Sequence, residues 1–436
     1  MASEWNEVPL SALAELSGGF AFKSGDYAPS GRFVLRTLNI SNDGNINRDD
    51  AVYLPEDLCP QYSRFELKPA DTLFVMVGAT LGKIGFVREK DLPALLNQNM
   101  WLIRAKPEKV NPRFLHYAFR HWVKESLGWA SGSARDFVRR DDYRNLKIPV
   151  PSLLEQKAIA HILGTLDDKI ELNRRMNQTL EAMAQALFKS WFVDFDPVRA
   201  KAEGRDPGLP SDVADLFPDS FEDSELGEIP KGWALRTLGS VCEQPQYGYT
   251  ASASDEAIGP RFLRITDINK ENWIKWDEVP FCSIEAAEQK KYALRPGDVI
   301  IARMADPGHG ALIEDAVDAV FASYLIRFRP HERPFGRYLQ YWLRSKMYWE
   351  LVLSRQSGTT RANLNARVLS EFPLVVPDHL IRGAFAEEAE VLRSRVAANV
   401  RETAVLAAVR NALLPKLISG ELRLKGAERS IGGKDT

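Results

Sequence analysis

The sequence predicts a mixed α/β (α+β) protein of two homologous globular domains, each followed by one long helix. Two observations carry that expectation: a long-period internal duplication and, after each copy, a stretch without turn residues whose apolar positions alternate steps of three and four. FVLRTLNI at 33–40 lies over RFLRITDI at 261–268, LKPADTLF at 67–74 over LRPGDVII at 294–301, LIRAKP at 102–107 over LIRFRP at 325–330, and SGSAR at 131–135 over SGTTR at 357–361. The offset stays within 223–228 positions through all four matches, so chance is excluded. A period this long means two domains; a solenoid would repeat every 20–50 residues.

The elements follow in order. Residues 1–151 form the first domain. Its apolar and β-branched runs bounded by Gly, Pro and Asp read as strands at Phe33 to Leu38 and Thr72 to Val77, with an aromatic-rich helix from Pro112 to Trp129. Residues 152–193 read as the first long helix, with Ile159, Leu163, Leu166, Ile170, Leu180, Ala184, Leu187 and Trp191 on one seam. Ser152 and Glu155 form a capping box at its start. Residues 194–228 carry 11 acidic and 3 basic side chains and four prolines, and are expected to run as an extended connector. Residues 229–377 repeat the domain, with strands at Val299 to Arg303 and Tyr324 to Phe328 and a helical stretch from Pro334 to Leu353. The second long helix, 378–424, places Phe385, Ala389, Leu392, Val396, Asn399, Thr403, Leu406, Leu413 and Leu417 on its seam, with Asp378 as its cap and Gly420 as its terminator. Residues 425–436 read as a flexible tail. The aromatics of the shorter helices, among them Tyr117, Phe119, Tyr341 and Trp342, are expected to pack in cores.

Composition narrows the function classes. A net charge of −2 becomes mildly basic once the acidic connector is set aside, which permits nucleic-acid binding without announcing it. No run approaches the ~18 apolar residues of a membrane span, the N-terminus lacks the pattern of a signal peptide, and a cytoplasmic protein is expected. Cys59, Cys242 and Cys282 show no disulfide or metal spacing, and the six histidines are scattered. Around Gly78 and Gly82 the chain glances at a phosphate loop, but only three residues separate the glycines where four are needed, and Ile84 stands where a Ser or Thr would hold magnesium. DFDP at 194–197 lacks the double proline with which amino-methyltransferases clamp a base, and no methyl-donor glycine turn accompanies it. No catalytic residue and no metal ligand is assigned.

The duplicated domains, the two long helices and the segment IPVPSLLEQKAIAHILGTLDDKIELNRRMNQTLEAMAQALFKSWFVDFDPV at 148–198 resemble the specificity subunit of type I restriction-modification systems, and LLPKLISGELRL at 413–424 is similar to that family's usual ending. The second helix departs from the pattern, with Ile381-Arg382 where the first has Glu155-Gln156. The resemblance implies two target recognition domains, each reading half of a split, asymmetric site on double-stranded DNA, with the helices paired antiparallel as a spacer. A helix of about 40 residues spans ~60 Å. It also implies two methyltransferase (M) and two restriction (R) subunits as partners, which would hold S-adenosylmethionine, ATP and Mg, so that this chain is not itself an enzyme and binds no cofactor. A coiled-coil adaptor that binds only proteins is the alternative.

Segments that match between copies cannot make the two halves read different bases. Arg36, Arg264, Arg135 and Arg361 are therefore candidates for phosphate contact or fold, the alternative for them being ion pairs with carboxylates such as Asp71 or Asp298. Candidates for base reading lie in unmatched loops: Asn42, Asn45, Asn47 and Arg48 in the first domain, and Gln244, Gln246, Tyr247, Arg303 and His309 in the second. The run 135–147 adds Arg139, Arg140, Arg144 and Lys147 to Arg135 as a basic cluster interrupted by Asp136, Asp141 and Asp142. Finally, Asn173 and Asn399 share the repeat offset and sit mid-helix, so they are expected in one polar layer. In the alternative, both face solvent and the seam runs through Met176 and Met183.

Overall fold

The computed structural model describes residues 5–77, 80–130, 143–269, 272–355 and 364–424. It divides into two compact units, Met1–Leu172 with Arg401–Thr436, and Asn173–Val400.

In the first unit a four-stranded antiparallel sheet runs in the order Ala14–Gly18, Met100–Ala105, Thr72–Val75, Ile84–Phe86. A second sheet sets Arg32–Leu35 between Val52–Leu54, antiparallel, and Ala94–Leu96, parallel. The expected strand over 33–38 is shorter than the sequence suggested, because the amide of Arg36 bonds the Asn39 side chain and turns the chain into a 3₁₀ helix at Thr37–Asn39. Asn6–Pro9 pairs antiparallel with Lys147–Val150, the strand that leads into the first long helix, Leu153–Phe192. Phe114, Tyr117 and Phe119, from the helix Pro112–Ala130, are buried against Phe74, Trp101 and Tyr143, so these aromatics are core.

The second unit repeats this plan. Its four-stranded sheet runs Gln246–Tyr247, Leu325–Phe328, Val299–Ala302, Gly310–Leu312, beside a parallel pair of Arg261–Leu263 and Ala319–Phe321. Ala234–Thr237 pairs with Pro373–Val376, which leads into the second long helix, His379–Ile418. The helical stretch expected from Pro334 to Leu353 is two helices, Arg333–Trp342 and Lys346–Ser354. Ser345 breaks it by accepting the Tyr348 amide as an N-cap.

Residues 194–228 do not run extended. Asp196–Ala202 and Ser211–Ala214 are helical, Phe221–Ser224 and Gly227–Pro230 form a hairpin, and Phe195, Val198, Phe217 and Ile229 are buried with Trp191 and Trp233. Pro197 and Pro210 stand at the starts of the two short helices, and the apolar residues between the acids supply enough burial to fold the stretch.

The long helices pair antiparallel. In the first unit Asp167 meets Arg410 and Lys169 meets Glu402, so numbers rise on one helix as they fall on the other. The second unit does the same through Asn177 with Asn399 and Glu181 with Arg393. Ser152 accepts the Glu155 amide, Asp378 accepts the Leu380 amide, and Gly420 adopts φ +74° just past the second helix. No described helix is long and apolar enough to cross a membrane.

Candidate nucleic-acid interface

The most closely repeated charged motif is structural. In the first unit the Asp71 carboxylate accepts the Lys68 amide and both Nε and Nη2 of Arg104, at 2.7 to 2.8 Å. In the second, Asp298 accepts the Arg295 amide and Nε and Nη2 of Arg329, at 2.6 to 2.9 Å. Both carboxylates are buried. The two carboxylates named for Arg36 and Arg264 are thus taken by other arginines, while an ion pair with a neighbouring carboxylate does hold for Arg264. Arg36 instead donates to the Asp50 carbonyl, and Arg264 makes a bidentate pair with Asp267. The geometry also corrects the repeat itself: Arg104 corresponds to Arg329, not to Arg327 as the LIR match implies. A slip of two residues keeps every side chain on its original face, so the hydrophobic pattern could not reveal it.

In the first unit the loop 41–50 is organised by its own polar side chains. Asn45 donates to Asp43 (2.7 Å) and accepts from Arg88 Nη1 (2.7 Å), and Asn47 accepts the Asp49 amide. Burial pushes the Asp43 carboxyl up, but hydrogen bonds from Ser41 and Asn45 outweigh it and hold the group below its ordinary value. Arg48 lies over the Phe33 ring and reaches the Asp91 carbonyl. Asn42 is exposed at the tip. Asn45 and Asn47 therefore shape the turn, whereas Asn42 presents its amide outward.

The second unit gathers more of its candidates. The Arg303 guanidinium sits 5.0 Å over the Tyr247 ring, whose hydroxyl accepts the Ala366 amide, and the Arg303 carbonyl accepts the Leu364 amide. Along the same hairpin loop, Asp306 accepts from Asn269 and lies 2.9 Å from His309 Nδ1, within ion-pair reach. The His309 ring packs edge-on against Trp349 at 4.8 Å. Ala305 and Gly308 take φ of +60° and +97°, which folds the loop tightly enough to bring 303, 306 and 309 together. Gln246 is occupied by Arg327, while Gln244 is exposed. A stacked Arg and Tyr on the same hairpin loop as a His, with the Asn269 amide bonded to that loop, can hydrogen-bond base edges or stack on them.

Lys147 pairs loosely with Glu7, and Arg144 is exposed. Arg135, Arg139, Arg140 and Arg361 lie outside the described residues. Asn269, Asp306 and Trp349 were missed from sequence because Asn269 is 37 residues from its partner and nothing in the spacing joins them.

At the start of the long helices the divergent pair is used alike. Gln156 Nε2 donates to the Pro151 carbonyl and its Oε1 accepts the Asn111 amide; Arg382 donates to the Pro377 carbonyl and to Glu332. Both side chains are buried, so this position locks the helix to its own domain.

A duplicated α/β domain, each copy leading into one helix of an antiparallel pair and carrying divergent polar loops, defines a class of internally repeated two-domain proteins. The model of the type I restriction modification DNA specificity domain matches residues 2–182. Over 415 residues the chain is 27% identical to the type I restriction enzyme HindI specificity subunit of Haemophilus influenzae, covering 83% of this chain and 89% of that one. It is 26% identical to the MjaIX specificity subunit of Methanocaldococcus jannaschii, covering 82% and 79%. In fold it resembles the crystal structure of the type I restriction-modification system S subunit from M. genitalium, with a TM-score of 0.55, 15% identity and coverage of 95% and 96%. Residues 2–182 thus match the type I restriction modification DNA specificity domain, and the chain is similar over about four fifths of its length to type I restriction enzyme specificity subunits.

Proposed function

We propose that this chain reads a bipartite, asymmetric site on double-stranded DNA and directs adenine methylation or restriction carried out by partner subunits. The observation that supports it is the contrast within the duplication. The scaffold repeats down to the Asp71–Arg104 and Asp298–Arg329 pairs, while the loops differ wholly, Asn-rich in one unit and Tyr, Arg and His in the other. A shared frame carrying unlike reading groups is what a split site with two different halves requires.

In this reading the chain performs no chemistry. Two methyltransferase subunits would hold S-adenosylmethionine and flip the target adenine from the stack, where its amino group is beyond chemical reach. Two restriction subunits would hold ATP and Mg. The test is methylome mapping of the source cell with and without the gene: a split, asymmetric adenine motif should vanish on deletion. An unchanged methylome in a cell with active partner subunits would refute the reading, and retention of duplex DNA only by the complex with the methyltransferase subunits would support it.

A further inference from the structure

The two repeats put opposite charges at one equivalent place. Strand register aligns Arg88 with Glu314, since Thr72 pairs with Phe86 as Val299 pairs with Leu312. FLHYAFRH at 114–121 lies over YLQYWLRS at 338–345, which aligns Arg113 with Arg337, His116 with Gln340 and Arg120 with Arg344.

In the second unit these residues close into a neutral network. Glu314 accepts from Arg393 Nε at 3.0 Å and also from Arg337, Arg337 reaches Glu390, and Glu181 takes both Arg393 (3.0 Å) and Arg344. Three guanidiniums meet three carboxylates there. In the first unit Arg113 pairs with Asp168 and Arg410 with Asp167, while among the described residues the Arg88 guanidinium donates to the Asn45 amide oxygen alone. Arg120 makes no hydrogen bond or ion pair among the described residues. Arg88, Arg113, Arg120 and Arg410 line a cavity of about 30 Å³ with Asn45, His116 and two carboxylates, Asp43 and Asp167; a third carboxylate, Asp168, lies outside the lining on Arg113. The repeat that lost its Glu314 equivalent thus has an uncompensated positive charge and an open space beside it.

We propose that this cavity binds one oxyanion of the phosphate class, held chiefly by Arg120 and Arg88. The space admits one or two water-sized atoms, so the anion enters with one or two oxygens and keeps the rest in solvent. Guanidinium forks suit phosphate oxygens, and the anion would stand where the Glu314 carboxylate stands in the other repeat. Two sources share this chemistry, free phosphate and a DNA backbone phosphate.

The full chain decides it. Inorganic phosphate, exchanged for chloride at constant ionic strength, should raise the melting temperature of the wild type by about 2–4 °C. It should not do so for Arg120→Gln or for Arg88→Glu, the latter of which rebuilds the second unit's arrangement and should melt no lower than wild type without phosphate. With duplex DNA, a salt slope shallower by about one in Arg120→Gln identifies the backbone as the source, and an unchanged slope beside a lost phosphate response identifies the free ion. A phosphate response that survives both substitutions, or a wild type with no response and an unchanged DNA slope in Arg120→Gln, overturns the proposal. Phosphate binding without any DNA binding would instead overturn the DNA reading and leave this site standing.

Discussion

At the scale of single residues, buried charge and buried neutral polarity do different work. His116 lies in the first unit's interior with Nδ1 3.2 Å from the Thr72 hydroxyl. Burial, then the charges of Arg120, Arg88 and Arg113, hold it well below its ordinary value, so it folds neutral. A histidine lowered in the folded state binds protons mainly when unfolded, so its contribution to stability is complete above about pH 6.5 and is lost as pH falls below it. His116→Gln, the residue found at Gln340, should remove that loss, measured as a flatter dependence of urea stability on pH between 7 and 5. Asp298 is the opposite case. Its carboxylate is 1% exposed and anchors Arg329 and the Arg295 amide, and Asp298→Ala leaves the partly exposed Arg329 only its looser contact with Glu243, at a cost of about 2 kcal/mol. Denaturant titration that found less than about 0.5 kcal/mol, the range of ordinary surface changes, would show the pair to be dispensable.

Among the elements, the long helices carry the clearest register device. Asn173 and Asn399 are both buried, whereas Met176 is half-buried and Met183 is 52% exposed, so the asparagines face the seam and not solvent. Asn399 Nδ2 donates to Asn177 Oδ1 at 2.8 Å, one turn along the first helix from Asn173, and all three asparagines are buried. Asn177→Leu should leave the Asn399 amide buried without this partner and cost about 1–3 kcal/mol. Asn177→Leu with Asn399→Leu should recover most of that stability. A double mutant as unstable as the single one would mean the asparagine pair is not the source of the loss.

For the whole molecule, the proposed function separates sequence from spacing. Exchange of residues 1–150 for the corresponding domain of a relative should change only one half of the methylated site. Insertion of four residues into a long helix, about one turn or ~6 Å, should lengthen the gap and leave both halves unchanged. Methylome sequencing reads both outcomes, and a domain exchange that altered both halves would show that the units do not read independently.

By itself the sequence determined the duplication, the positions of the two long helices and the chemistry of their caps. These depend on local rules: apolar spacing, a Ser or Asp before the first turn, a glycine after the last. It also marked the aromatic helices as core, since Tyr117, Tyr338 and Tyr341 recur at helical spacing. Tertiary structure decided what pairs with what. Arg329 and not Arg327 answers Arg104, because a two-residue slip costs the hydrophobic pattern nothing. The acidic connector folds, because Phe195, Phe217 and Trp233 find one another across nearly forty residues. Arg120 and Arg344, alike in sequence, differ in fate because Glu181 and Glu314 lie in one unit and Arg88 in the other. Charge balance at a buried site is a sum over elements distant in the chain, and only the fold brings its terms together.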